Sequence, residues 1–148
     1  MSFCRLFAFA FADNMDRTSL FKWALFDRAP MSRWSRGSVT LLGDACHPTL
    51  PFMAQGAAMA IEDAAVLRGC LAAGTPAAAD NPVAAALTRY EALRQSRTAR
   101  IQSGSRRNAS MFHLSGIRAW ARNRAVRVAG ARTMDGLYSY DALHAADL

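Results

Sequence analysis

The stretch LLGDACHPTLPFMAQGAAMAIEDAA, residues 41–65, decides the fold of this chain. It starts with apolar residues, passes through Gly43, Asp44 and two prolines, and ends in an alanine-rich segment that carries only two charges. Glycine and proline interrupt regular structure, and a long run of small apolar residues favours a buried helix. The order therefore predicts a strand, a tight loop and a helix, with a candidate ligand site at the carboxyl end of the strand.

Two strands are predicted before the loop. Residues 20–28 are rich in aromatic and apolar residues and end before Ala29 and Pro30, where a regular element should stop. Residues 39–42 form a short apolar run that ends at Gly43. Such a run is typical of a strand that is buried on both faces.

Three helices are predicted after the loop. Residues 54–71 are apolar around nearly the whole circumference, which indicates a buried helix. Asn81 followed by Pro82 predicts an N-cap and the first turn of a second helix, and Gly104 suggests its end. A third helix should cover residues 116–128. We expect it to bury Ile117, Trp120, Ala121 and Val128.

Composition limits the functional classes. The net charge of +7, from 18 basic and 11 acidic residues, permits anionic partners without selecting one. Cys4, Cys46 and Cys70 are odd in number and far apart, so neither a disulfide framework nor a zinc site is indicated, and a cytoplasmic location is expected. No apolar run reaches the roughly 18 residues of a membrane span. Residues 6–12 after Arg5 leave a signal peptide, a strand or an aberrant start open.

The residues of the loop suggest its chemistry. Gly43 would let a ligand approach the backbone closely, and the Asp44 carboxylate offers two acceptors for sugar or ribityl hydroxyl groups. The first amide groups of the following helix, near Gln55, Gly56 and Ala57, have no intrahelical partner and carry a partial positive charge. These amides favour an anion or a polarised carbonyl.

The segment GDACHPTLPFMAQGAAMAIEDA, residues 43–64, resembles the second flavin-binding motif of the FAD-dependent aromatic hydroxylases. These are single-component monooxygenases that include salicylate hydroxylase-like enzymes. The segments FKWALFDRAPMSRWSRGSVTLLGDACHP, YEALRQSRTARIQSGSRRNASMFHL and GLYSYDA extend the resemblance over residues 19–142. The resemblance implies an α/β fold: the carboxyl-terminal fragment of a FAD/NAD(P)-binding, Rossmann-like flavoprotein hydroxylase, mostly helical with two strands.

The resemblance also implies the roles of individual residues. Asp44 would hydrogen-bond the ribityl chain of FAD, and residues 48–55 would pass beside the isoalloxazine ring. The implied cofactor-binding residues are Gly43, Asp44, Pro51, Ala54, Gln55, Gly56 and Ala57. In the family, NAD(P)H is the co-substrate and an aromatic compound is hydroxylated. The protein binds and orients these reactants.

The GxGxxG fingerprint that holds the FAD pyrophosphate in the family is absent from this sequence. We therefore expect residues 19–148 to be the carboxyl-terminal, FAD-binding part of a monooxygenase and residues 1–18 to be an atypical segment. Weak or no FAD binding and no turnover are expected of the chain alone. A companion chain that supplied the amino-terminal half could complete the site.

Several residues allow more than one interpretation. His47 fits an orienting or core histidine better than a catalytic base. A metal pair of His47 with Asp44 lacks a third ligand, so no metal is expected. Phe52 could face a substrate or simply pack. Glu62 and Asp63 fit partners of the backbone or of arginines better than an acid–base pair.

The basic carboxyl-terminal half supports an alternative function. Between Arg89 and Arg132 there are eleven arginines and one acid, Glu91, a balance that suits a module binding nucleic acid or an acidic surface. However, no nucleic-acid-binding motif accompanies the arginines, which are spread around the predicted helices. We therefore expect neither a nucleic acid nor a membrane as partner.

Overall fold

The computed structural model of the protein describes residues 25–74, 80–129 and 135–145. The interpretations of residues 1–18 and of residues 20–24 lie outside these ranges. The described elements are β1 (Ser35–Arg36), β2 (Val39–Thr40), α1 (Gly56–Ala72), α2 (Pro82–Phe112), α3 (Gly116–Ala129), α4 (Asp135–Tyr138) and α5 (Ala142–Ala145). Two short 3-10 turns, Gly43–Ala45 and Pro51–Met53, lie between β2 and α1. The prediction of a mostly helical chain with two strands is confirmed.

The strands differ from those expected. β1 and β2 form an antiparallel hairpin in which Arg36 faces Val39, and Gly37 turns the chain with a φ of 57°. Val39 is 70% exposed, so the prediction of a strand buried on both faces is wrong. The predicted strand at residues 20–28 is also wrong over its described part, since residues 25–28 are irregular and exposed. An apolar run does not specify its neighbours, and within the described chain this run pairs with one polar strand.

The helix α1 forms where the sequence predicted it, but one of its faces is open. It starts at Gly56, two residues after the expected position, and buries Met59 and Val66 completely. Ile61 is 71% exposed, so burial around the whole circumference is wrong for the described structure. The helices α2 and α5 and the Gly43–Ala45 turn pack against α1, but they leave the part of its surface that carries Ile61 uncovered.

The long helix α2 begins as predicted and ends later. The Asn81 side chain accepts a hydrogen bond from the amide of Ala84 at 3.0 Å, which confirms the N-cap. The predicted end at Gly104 is wrong, because the helix continues to Phe112. A Cβ atom added at Gly104 would lie 2.7 Å from the sulfur of Met53. Glycine therefore allows the loop before α1 to approach α2, and it does not end the helix.

The core lies between the hairpin, α1 and α2. The Trp34 ring packs against the rings of His47 and Tyr90, with centroids 5.4 Å and 5.8 Å away. The buried cluster consists of Trp34, Cys46, Val66, Cys70, Ala86 and Tyr90. The residues that follow β2 pack on this core.

The helix α3 confirms the predicted range but not the predicted burial. Ile117, Trp120 and Val128 are 84%, 67% and 83% exposed, and Ala121 is exposed as well. These residues are helical, as the spacing predicted, but among the described residues no element buries their side chains.

Candidate functional site

We call residues 43–57, which lead from β2 into the first turn of α1, the corner. Its first residue is Gly43. This residue has a φ of 61°, in the left-handed region that favours glycine. A Cβ atom added to it would lie 3.3 Å from the Cβ of Ala60. Its amide donates to Oδ2 of Asp63 at 3.0 Å, and its carbonyl accepts from the amides of Cys46 and His47, both at 3.0 Å. Backbone conformation, space and hydrogen bonds together fix this corner.

Asp63 is the centre of a buried polar network beneath the corner. Its Oδ2 lies 2.6 Å from Nε2 of His47, and its Oδ1 accepts from Nε of Arg94 at 2.7 Å. All three side chains are at most 1% exposed. Burial alone would raise the pKa of Asp63, but the hydrogen bonds from His47, Arg94 and Gly43 outweigh it and hold the pKa below 3.8. Asp63 is therefore ionised at neutral pH.

Glu62 extends this network toward the surface. It accepts from Arg94 at 2.7 Å and from Arg97 at 3.0 Å, so one arginine contacts both neighbouring acids. The interpretation of Glu62 and Asp63 as arginine partners is confirmed. The guanidinium of Arg97 also lies 4.5 Å from the centre of the Tyr140 ring. Two arginines of the basic half are thus used inside the protein, which weakens the argument for a nucleic-acid surface.

Asp44 lies on the solvent side of the same corner. Its side chain is exposed, and its Oδ1 lies 4.0 Å from the position of a Cβ atom added at Gly56. The carboxylate therefore sits beside the first turn of α1. Gln55 precedes this turn without a side-chain cap, and the first helical hydrogen bond is donated by the amide of Met59. The earlier amides of the turn have no intrahelical acceptor.

The other residues predicted to bind the cofactor differ in exposure. Gly43 and Gln55 are buried, whereas Pro51, Ala54 and Ala57 are exposed. The structure thus brings Asp44, Gly56 and Ala57 together at the helix terminus and places Pro51 and Ala54 on the loop that leads to it. The binding role of these residues stays a prediction.

His47 and Phe52 are less suited to contact a ligand. His47 is 1% exposed and is held by Asp63, which favours the orienting or core interpretation. Phe52 is half-buried, and its ring lies 5.9 Å from that of Phe112. This contact favours packing against the end of α2.

A metal pair of Asp44 and His47 does not form, because His47 contacts Asp63 instead. Cys46, His47 and Asp63 do cluster, with ligand atoms within 4.8 Å of one another. Burial and the charge of Asp63 raise the pKa of the Cys46 thiol to about 12, so it stays protonated at neutral pH. The Arg94 guanidinium already neutralises Asp63. A protonated thiol and an adjacent positive charge make this cluster a poor cation site.

Ala54 is strained where the loop meets α1. Its φ of 52° and ψ of 33° place a non-glycine residue in the left-handed region, which costs about 1–2 kcal/mol for an L-residue. We expect Ala54→Gly to unfold at a urea concentration equal to or above that of the unchanged chain. The control Ala58→Gly, inside α1, should lose about 1 kcal/mol of unfolding free energy. Equal losses in both variants would contradict the strain at Ala54.

Comparison with known proteins shows the family of the chain. Residues 12–105 match the family described as FAD binding domain. The chain belongs to this FAD-binding family. The matched range includes the whole corner, α1 and the part of α2 up to Ser105.

Individual relatives of the chain support this assignment. The 3-amino-4-hydroxybenzoate 2-monooxygenase of Streptomyces cremeus is 45% identical over 97 residues, 66% of this chain and 23% of that protein. The 6-hydroxynicotinate 3-monooxygenase of Pseudomonas fluorescens is 52% identical over 87 residues, 59% of this chain and 22% of that protein. A solved salicylate hydroxylase substrate complex matches with a TM-score of 0.68 and 29% identity, over 84% of this chain and 30% of that one.

These matches confirm the resemblance to FAD-dependent aromatic monooxygenases. The chain spans about a quarter of the length of the curated relatives it matches. Within the described ranges, no helix is both long and apolar enough to cross a bilayer.

The buried partners of the corner were not identified from the sequence. Arg94 and Arg97 lie at the margin of the apolar stripe of α2, and this position was the available signal that they turn inward. The side chains of Gln102, Ser105 and Asn108, which contact the loop before α1, carried no sequence signal.

Proposed function

We propose that this chain forms the part of an FAD site that holds the ribityl chain and the isoalloxazine ring. The proposal is supported chiefly by one observation, the exposed Asp44 carboxylate beside the uncapped first turn of α1. The carboxylate can accept hydrogen bonds from ribityl hydroxyl groups. The amides near Gly56 and Ala57 can donate to the N1 and C2 carbonyl edge of the ring, where a partial positive charge is favourable. The residues present therefore fit the cofactor.

The proposal extends to the reaction class. The relatives named above are monooxygenases of aromatic acids, which supports an NAD(P)H-dependent hydroxylation of an aromatic, salicylate-like compound. FAD supplies the redox chemistry when it is bound. The residues of this chain bind and orient the FAD, and Asp63 holds the backbone of the corner in place. A Rossmann-like, carboxyl-terminal position in the complete enzyme and a cytoplasmic location belong to the same proposal.

The GxGxxG fingerprint is absent from the sequence, so we expect weak FAD binding and no turnover by the chain alone. The direct test is a titration of the purified chain with FAD that follows flavin fluorescence and thermal unfolding together. A ligand that binds only the folded state must raise the unfolding temperature. Saturable quenching with stabilisation supports the proposal. Cooperative unfolding without any response to FAD would contradict a preformed corner.

Asp44→Ala tests the residue that carries the proposal. The change removes both carboxylate acceptors from an exposed position, so stability should not change. FAD affinity should fall about 10- to 100-fold, as expected for lost hydrogen bonds to a charged group. The control is Asp80→Ala, which removes an exposed carboxylate before α2. Equal FAD affinity in the two variants would remove Asp44 from the site.

A further inference from the structure

The loop of residues 48–54, which leads into α1 and includes the second 3-10 turn, is held mainly by side chains of α2. Nε2 of Gln102 donates to the carbonyl of Pro48 at 2.9 Å. Oγ of Ser105 donates to the carbonyl of Leu50 at 2.5 Å. Nδ2 of Asn108 donates to the carbonyl of Phe52 at 3.3 Å. We call these three side chains the α2 ladder.

The donors and the acceptors of the ladder are both regularly spaced along the chain. Its donors lie three residues apart, so they share one face of α2. Its acceptors lie two residues apart on the loop, at residues 48, 50 and 52. Gly104 lies on α2 between the first two donors and makes room for the sulfur of Met53. Both the donors and the glycine therefore fit this loop to this helix.

The loop has few other means of holding its shape. Pro48 and Pro51 have no amide hydrogen and cannot donate. The backbone hydrogen bond within the loop joins the amide of Ala54 to the carbonyl of Pro51 at 3.1 Å. The three accepting carbonyls belong to half-buried residues, and the ladder supplies their donors. Gln102 and Ser105 are 1% and 0% exposed, so these two donor side chains are shielded from water.

The direction of these bonds determines what the loop presents outward. Carbonyls of residues 48, 50 and 52 point toward α2, while Pro51 and Ala54 remain exposed on the loop. We infer that Gln102, Ser105 and Asn108 are positioning residues that shape the loop against which the flavin ring binds. This inference rests on the proposed function, because it assigns the outer side of the loop to the ring.

The test uses two alanine substitutions in the full chain, Ser105→Ala and Asn108→Ala, singly and together. Alanine keeps the helix. Gln102 is left unchanged because its amide also donates to the carbonyl of Arg28 at 3.3 Å. The matched control is Ser103→Ala combined with Ser110→Ala, two exposed positions on the same helix. Asn108→Gln keeps an amide donor and serves as the rescue variant.

Two readouts are needed. Without FAD, amide hydrogen exchange over residues 49–54 should become about tenfold faster in the double variant, while exchange in the middle of α1 stays unchanged. With FAD, the dissociation constant should rise about tenfold, and the absorbance bands of the bound flavin should shift. The control should change neither quantity, and Asn108→Gln should restore the values lost in Asn108→Ala.

The outcomes separate the inference from the proposed function. Unchanged exchange over residues 49–54 would overturn the ladder, whatever FAD does. Faster exchange with unchanged FAD affinity and spectrum would overturn the positioning role. If the unchanged chain binds no FAD, the proposed function fails and the positioning role fails with it, while the exchange data still decide whether the ladder holds the loop.

Discussion

Asp63→Asn should lower the free energy of unfolding by about 3 kcal/mol, which is the low end of the range for breaking a buried ion pair. The asparagine side chain has nearly the same shape, but it leaves the charge of fully buried Arg94 without its partner at 2.7 Å. The effect stays at the low end because Glu62 still faces Arg94. The variant also weakens the acceptor for the Gly43 amide, so the corner should lose its shape together with the stability.

Urea denaturation measures this effect, with Asp44→Asn as the control. Both substitutions remove one negative charge near the same corner, but Asp44 is exposed and Asp63 is fully buried. We expect Asp44→Asn to keep the stability of the unchanged chain. Similar midpoints for the two variants would show that the buried network does not support the corner.

The same comparison has a predicted pH dependence. The pKa of Asp63 is lower in the folded chain than its ordinary value of 3.8. Its ionised form therefore stabilises the fold above that value, and the contribution is lost as the pH falls through the lower, folded pKa. The difference in unfolding free energy between the unchanged chain and Asp63→Asn should shrink as the pH falls below 3.8. A constant difference down to acid pH would contradict the depressed pKa.

Local signals predicted the helices well. Asn81 and Pro82 marked the start of α2, because capping depends on adjacent residues. The alanine-rich run after Gln55 likewise marked α1. These features need no information about distant parts of the chain.

Features that depend on distant contacts were predicted poorly. Gly104 resembles a helix end in the sequence, yet it is needed for the approach of Met53, more than fifty residues away in the chain. Val39 belongs to an apolar run, but burial depends on which strands lie beside it. The apolar spacing of α3 predicted burial of Trp120, which is 67% exposed. Periodicity indicates which residues share a face and does not supply the partner of that face.

The candidate site shows the same division. The exposed residues of the corner were found because glycine, aspartate and a helix start are adjacent in the sequence. The pairing of Asp63 with Arg94 joins residues 31 positions apart. The sequence could predict that this acid pairs with an arginine, but it could not predict which arginine. The α2 ladder joins residues more than fifty positions apart, and serine, glutamine and asparagine on a helix are common without such a role.

The second large effect is expected for Tyr90→Ala. Tyr90 is fully buried, packs against Trp34 and donates a hydrogen bond to the carbonyl of Leu41 at 3.4 Å. Removing a buried aromatic ring leaves a cavity and should lower the free energy of unfolding by about 3–5 kcal/mol. Leu41 lies two residues before Gly43, so the loss should also loosen the corner.

Two further variants separate the ring from the hydroxyl group and from general surface effects. Tyr90→Phe keeps the ring and should lose about 1 kcal/mol, the value of one hydrogen bond. Tyr138→Ala truncates a tyrosine that is 65% exposed and should change stability by less than about 0.5 kcal/mol. Urea denaturation of the three variants gives the order directly. A loss in Tyr90→Phe as large as in Tyr90→Ala would mean that the bond to Leu41, and not the packed ring, anchors the corner to the core.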